Sequence, residues 1–579
     1  MKFAFKPIAI AAALAFIGTA AVASPMKPGT YTAKVNGHNA PLTVEVTVDA
    51  NKILSIKTPD DQESLGVGKV GLKKTADNIL RYQSIGVDAV TGATFSSNAL
   101  KEGVEKCLKQ AGADMKQFTR KAEKHPIHNR TYQADVVVIG GGGAGLASAI
   151  SSMQAGAKKV IVLEKLGYVG GSTNVSEGAL NAVDDQRQKA QGIKDSYETF
   201  YETTMHGGHD KGDPTLVRFL TSHSMDAVNW LESLGVKFND HIGAATGSLG
   251  QRSHYPATPY GNTYIRTFEK VIADSNGKIQ VLLDTPAVKL IQNKSGRVVG
   301  VVGNNFGSKV TVMAKDGVII ATGGFGANVA YRQKVNTGVW KNIKLDNSIG
   351  CTNIQKAAQG QGLFLAQKVG AKLIGLSDIQ IHPCGTPGTG LMENIRTSGR
   401  NRIFVNSDGN RFVNEGAARD VLANAIFQQK GRTYWIVVNK LRYPTPDFKD
   451  RMGASIRNME ALGAVVEAPT LDELAKKTGM NAENLKKAIA DYNAVVSGKA
   501  KDKLGFVANN KDDKQMTEGP WYACRKVPTV HHTMGGIKIN VKSQVINTKG
   551  KVIPGLYAVG EVTGGIHGSN RLGGNAIAD

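Results

Sequence analysis

Residues 134–150 read ADVVVIGGGGAGLASAI. The apolar, β-branched start is the pattern of a strand buried on both faces. Gly140, Gly142 and Gly145 follow with Gly-x-Gly-x-x-Gly spacing. Apolar residues at Leu146, Ala149, Ile150 and Met153 then predict a helix with one face on a sheet. A second buried strand, KVIVLEK (159–165), carries Glu164 near its end. The combination has one physical reading. Glycines let the backbone approach a pyrophosphate, the helix start offers N–H donors and a positive dipole, and the acid accepts from a ribose hydroxyl. The stretch predicts a doubly wound, Rossmann-type α/β domain that binds a dinucleotide.

Further glycine turns follow buried runs. GGST (170–173) comes soon after Glu164, GVIIATGGFG (317–326) follows a hairpin pattern in GRVVGVV and KVTVMA, and GLYAVGEVTGG (555–565) lies late in the chain. Three other segments hold residues suited to anion chemistry. They are IQIHP with His382, NRFVNEGAARD with Arg419, and HHTMGG followed by HGSNRLGGNAIAD with His531, His532 and Arg571. In this order the pieces resemble the fumarate reductase/succinate dehydrogenase flavoprotein family, and within it the soluble periplasmic flavocytochrome c fumarate reductases and urocanate reductases. The resemblance covers most of residues 131–579.

The resemblance implies non-covalent FAD held by Gly140, Gly142, Ala144, Gly145, Glu164, Gly171, Ser172, Thr173, Thr322, Gly323, Gly324, His532, Glu561, Arg571, Ala576 and Ile577. It also implies that Arg571 and His531 hold one substrate carboxylate and that His382 binds the other end. Arg419 matches the proton donor, with Glu393 and Arg396 of LMENIR as its relay. Such residues suit reduction of an alkene beside a carboxylate. Arginine clamps a carboxylate bidentately, fixed cations stabilise enolate charge, and orientation supplies much of the rate. Taken singly, Arg419-Asp420 reads as a surface ion pair, Glu393 and Arg396 as an i,i+3 pair, and His382 as a satisfied loop histidine.

Fumarate is the first candidate substrate. Met392 stands where fumarate reductases carry a threonine, which leaves room for other 2-enoates such as urocanate, acrylate, methacrylate or cinnamates. His382, where urocanate reductases are expected to carry tyrosine, argues against urocanate. Oxidation in the reverse direction and a non-catalytic electron-transfer flavoprotein are the other readings.

Residues 27–108 read as a separate small α+β domain. TYTAKV, LTVEVTVD and ILSIKT alternate as strands, and SNALKEGVEKCLKQAG is an amphipathic helix with Leu100, Val104, Cys107 and Leu108 on one face. At its start lies Asp88-x-x-Thr91-Gly92-Ala93-Thr94. A threonine there serves as a helix cap, and a helix start also binds phosphate. The motif resembles that of FMN-binding domains, in which a flavin transferase esterifies FMN to the last threonine, here Thr94. No haem motif exists, so the resemblance implies that covalent FMN relays electrons from a quinol- or cytochrome-linked donor.

The first residues carry Lys2 and Lys6, an Ala-rich apolar run, and a small-x-small site ending at Ala23, the pattern of a cleaved export signal. Export to the periplasm follows, and no later apolar run is long enough for membrane insertion. The four cysteines, Cys107, Cys351, Cys384 and Cys524, show no metal spacing. The net charge of +23 attracts anions, but scattered Lys and Arg with only 6% aromatics give no nucleic-acid platform. The expected organisation is a signal peptide at 1–23, an FMN-binding domain at 27–108, a linker at 109–130, an FAD domain at 131–376, an inserted α+β capping domain at 377–530, and a return to the FAD domain at 531–579.

Overall fold

The computed structural model describes residues 25–121, 126–258, 260–450, 452–508 and 512–579. The predicted signal peptide and part of the predicted linker lie outside them. The opening stretch forms the strand Arg130–Ile139 and the helix Gly143–Gln154. Leu146, Ala149 and Ile150 of the helix are buried as their spacing predicts, while Met153 is half-buried at its edge.

The strand Arg130–Ile139 sits centrally in a sheet of mixed direction. Ser308–Ile320 pairs with it in parallel on one side and Val160–Leu163 on the other. The parallel order continues outward to Val552–Ala558 and to Ile279–Leu282. The chain leaves the central strand in both directions, and such sheets open a nucleotide crevice where the order reverses. All four residues of Val160–Leu163 are buried: Val160 and Val162 share a cluster with Leu146, Ala149 and Ile150 of the helix, and Ile161 and Leu163 one with Leu290, Val301 and Val312 of the hairpin strands. The hairpin is present, but its second arm and the buried run before Thr322 are one 13-residue strand, Ser308–Ile320. Its register against Arg130–Ile139 shifts between Ala314 and Gly317, where the chain passes from hairpin to core.

A second sheet carries the cap. Trp521–Thr533 pairs antiparallel with Ile379–Gly385 and with Tyr434–Asn439, and Ile403–Val405 and Val466–Ala468 extend it. The expected boundary at 530/531 falls inside Trp521–Thr533. One unbroken strand therefore runs from the cap into the FAD domain.

The N-terminal domain is a three-stranded antiparallel sheet, Gly29–Asn36, Pro41–Val48 and Ile53–Lys57, with alternate residues of the middle strand buried against helix Thr94–Gln110. A second helix, Gly68–Tyr82, is not evident in the sequence. Its start lacks a side-chain cap, and Gly68 and Gly71 weaken its helical signal. Those glycines serve packing, because a Cβ on Gly71 would press on the Ala93 methyl at 2.6 Å. The domain docks on the rest of the chain. Val90 and Ala93 share a buried apolar cluster with Leu166, Tyr168 and Ile354, and Lys74 Nζ donates to the Gly167 carbonyl. Asn174 Nδ2 donates to the Gly66 carbonyl at 3.3 Å, and Asn458 Nδ2 donates to Gln62 Oε1 at 2.6 Å.

The helix Gly143–Gln154 crosses the central strand at Gly145, where a Cβ would collide with the Gly140 carbonyl oxygen. Backbone on both sides cannot yield cheaply. Gly145→Ala is expected to destabilise the FAD domain by about 1–3 kcal/mol and to weaken FAD retention. Chemical denaturation followed by tryptophan fluorescence, with FAD content measured by absorbance, checks both.

Candidate active site

One cavity of about 630 Å³ extends between the glycine turn and the cap. Every residue predicted to hold FAD lines it except Gly145, which lies behind the turn as a packing contact. His382, Arg396, Arg419, His531 and Arg571 line the same cavity, and Glu393 does not.

The donors and acceptors left unused in the cavity fit FAD. The helix after Gly142 starts without a side-chain cap, and a Cβ placed on Gly142 would meet nothing within 4 Å. Its free N–H groups and the open space suit a pyrophosphate. Glu164 is held by Gly141 N–H at 2.6 Å and Leu166 N–H at 2.7 Å, which leaves carboxylate lone pairs for a ribose hydroxyl. Thr322 Oγ1, both ring nitrogens of His532 and Arg571 Nε are buried with no partner. Buried polar atoms are rarely left so in a finished site. Glu561 accepts from Thr533 N–H at 3.0 Å, and burial pushes its carboxyl up to about 7.

The anion-binding end is built on Gln380, which the sequence reading missed. Its side-chain oxygen accepts from Arg419 Nη1 at 3.0 Å, and its Nε2 donates to the Arg571 carbonyl at 2.6 Å and to Asn570 Oδ1 at 3.1 Å. One amide thus ties the first residue of helix Arg419–Phe427 to the returning FAD segment. Gln380 stands two residues before His382, the period that places side chains on one face of a strand, and this was its only sequence signal. Asp420 turns away to His209 Nε2 at 3.2 Å, so Arg419 and Asp420 are not a surface pair.

The two histidines present one nitrogen each. His382 Nδ1 accepts from Cys384 N–H at 3.1 Å, which places its proton on Nε2. His531 Nδ1 lies 2.7 Å from Thr352 Oγ1, and the two rings are 4.8 Å apart. Burial, and then the charges around them, hold His382, His531 and His532 well below the usual histidine range. These shifts favour the neutral form of all three rings. Burial and the neighbouring Arg571 charge bring Arg419 down to about 9, and burial brings Arg571 to about 10.

Glu393 and Arg396 do not pair with each other. Glu393 Oε1 meets His38 Nε2 of the N-terminal domain at 3.0 Å, and its carbonyl accepts from Lys526 Nζ. Arg396 Nη1 lies 3.5 Å from Glu177 Oε1, a cavity residue that no spacing rule flagged. Burial works against the Arg396 charge, and Glu177 together with Tyr260, Cys384 and Asp450 more than offsets it, so its pKa is raised. The Glu177 carboxylate acts on Arg419 as well.

In the N-terminal domain Thr94 is the exposed first residue of its helix, and no side chain caps that start. Ser96 and Ser97 stitch the turn instead. Ser96 Oγ donates to Glu63 Oε2 at 2.7 Å, and Ser97 Oγ accepts from Val90 N–H at 3.2 Å and from Thr75 Oγ1 at 3.0 Å. The Thr94 hydroxyl is not consumed as a cap, which fits a flavin phosphate better than a structural role.

Residues 135–577 match the FAD binding domain family, and residues 37–109 match the FMN-binding domain. The chain is 34% identical to urocanate reductase of Eggerthella lenta, over 95% of its own length and 90% of that relative. Identity to NADH:acrylate oxidoreductase of Vibrio harveyi is also 34% over 95% of the chain, which spans 60% of that longer protein. A solved flavocytochrome c3 fumarate reductase in its open conformation superimposes with a TM-score of 0.63 at 35% identity, covering 77% of this chain and 76% of that one. The chain therefore belongs to the FAD binding domain family, in its flavocytochrome and urocanate reductase branch, and carries an FMN-binding domain ahead of it.

Proposed function

We propose that the protein reduces the C=C bond of an unsaturated carboxylate, with fumarate the first candidate. The observation that carries this reading is the pair Arg419 and Arg571, tied through Gln380 in the cavity that also holds the flavin turn. Bound FAD supplies the hydride. Arg571 and His531 Nε2 grip one carboxylate, and His382 Nε2–H donates to the far end of the substrate. Charge that builds up beside the carboxylate meets fixed cations in a site shielded from water, where such interactions are strongest.

Arg419 then gives a proton to the carbon opposite the hydride. A guanidinium in water, with a pKa of about 12 or more, holds its proton too tightly for this. Burial beside Arg571 loosens it to about 9. Arg396 is held charged by Glu177, whose field also reaches Arg419. The Arg396–Glu177 contact and the pull of Glu177 on Arg419 support the inner half of a resupply route, which we extend outward to Glu393 as its entry.

Thr94 would hold FMN, esterified there by a separate flavin transferase, and that flavin would supply electron relay between a quinol- or cytochrome-linked donor and the FAD. In this reading residues 131–376 and 531–579 hold FAD, residues 377–530 cap it, and the mature chain works in the periplasm after cleavage at Ala23. Among the described residues no helix is long and apolar enough to cross a membrane. A second reading, a monocarboxylic 2-enoate such as acrylate, is favoured by Met392 and Glu177 on the cavity wall. An apolar and an acidic side chain there welcome a second carboxylate less. Reoxidation of the reduced holo-protein by fumarate, acrylate, methacrylate, cinnamates and urocanate tests the proposal and ranks the acids.

Two outcomes are expected. Arg419→Ala should keep its FAD and lose at least about 100-fold in the rate of that reoxidation; turnover above a tenth of the wild-type rate removes Arg419 from the proton step. The second concerns pH. Three histidines are depressed in the folded state, so the unfolded chain takes up their protons first below its pKa of about 6.5. Their stabilisation is complete above that value and is lost as pH falls through it. Glu561, raised to about 7, and Glu164, also raised by burial, oppose the three histidines. Substrate-free protein should lose on the order of 1 kcal/mol of stability per pH unit below about pH 6.5, measured by denaturation at several pH values; a flat profile there contradicts neutral histidines.

A further inference from the structure

We propose that His38 of the N-terminal domain is the outermost, positioning residue of the proton route, handing its Nε2 proton to Glu393. This rests on the reductase reading above. His38 lies in the turn between strands Gly29–Asn36 and Pro41–Val48, and its backbone N–H donates to Glu63 Oε1 at 2.6 Å. Its ring meets Phe95, the neighbour of Thr94, edge-on at 5.6 Å.

Both ring nitrogens face oxygens. Nδ1 is 2.9 Å from Asn39 Oδ1, and Nε2 is 3.0 Å from Glu393 Oε1. The Asn39 amide is oriented by its own Nδ2, which donates to the Gln62 carbonyl at 3.1 Å. Two acceptors require two N–H groups, so the ring is an imidazolium. Burial opposes that charge. Glu393 from the cap, with Asn39 and Glu63 from the same domain, more than offsets it and lifts the group to about 9. Lys526 faces the same junction from the cap strand, donating to the Glu393 carbonyl. The side chains of His38 and Glu393 are each 28% exposed, enough for water to reload the ring.

The step moves one proton. The His38 Nε2–H bond breaks, Glu393 Oε1–H forms, and the neutral imidazole regains a proton from solvent. Thr94 and His38 flank Phe95 on one domain. The docked position that brings the flavin-bearing turn to Leu166 and Tyr168 therefore also loads the proton entry.

The test uses full-length holo-protein, its FAD and FMN content checked by absorbance. Stopped-flow reoxidation of the reduced protein by the best acid is followed from about pH 5.5 to 9 in wild type and His38→Gln. Wild type should hold its rate until about pH 9. The variant should be about tenfold slower near pH 8 and be rescued there by free imidazole. A variant that tracks wild type overturns the proposal. Uniform slowing without imidazole rescue also overturns it and marks a packing role, while a faster variant overturns it and marks His38 as a lock on Glu393. A wild type that no unsaturated acid reoxidises overturns the reductase reading, and the role of His38 with it.

Discussion

Arg419 and Arg571 share one cavity, each nearly out of water, and among the described residues their side chains hydrogen-bond to an amide oxygen and a backbone carbonyl rather than to a carboxylate. Burying a cation costs several kcal/mol even after relaxation, and two like charges aggravate that cost. Acids further off, Glu177 for Arg419 and Glu561 with Asp579 for Arg571, soften it without cancelling it. The remaining deficit is chemically useful. An anion entering the cavity relieves both charges at once, so carboxylate binding is strongest where charge develops during reduction. The rest of the structure serves to hold this unfavourable pair in place.

That task falls on a few continuous elements. Gln380 joins the two arginines with one amide and stands on a strand paired to Trp521–Thr533. The latter strand carries Lys526 at the Glu393 junction and both His531 and His532 on the cavity wall. A boundary drawn through it would split residues that the backbone keeps in fixed register. The cap segment and the FAD-binding segments share this strand, and residues of both line the cavity.

The parts legible in the sequence were those governed by local rules. The strand–glycine–helix–strand unit was readable because pyrophosphate binding fixes residue type and spacing together. The sheet of the N-terminal domain was readable because its middle strand alternates strictly. Helix Gly68–Tyr82 was not, since Gly68 answers to the close approach of Glu63 and Gly71 to that of Ala93 rather than to helix propensity. The individual charges of the site were found from their motifs, but their pairings were not. Glu393 and Arg396 are three apart in sequence, yet their partners, His38 and Glu177, are hundreds of residues away. No local period encodes such contacts.

Those pairings decide what each arginine does. Arg396 and Arg419 have the same side chain and similar burial, and Glu177 lies near both. Arg396 has the carboxylate within ion-pair distance, so its charge is secured and its pKa rises. Arg419 has a neutral amide instead, with Arg571 as its charged neighbour, and its pKa falls. One holds its proton more firmly than a free guanidinium does and the other less firmly. The choice of neighbour, not of residue type, separates the two arginines.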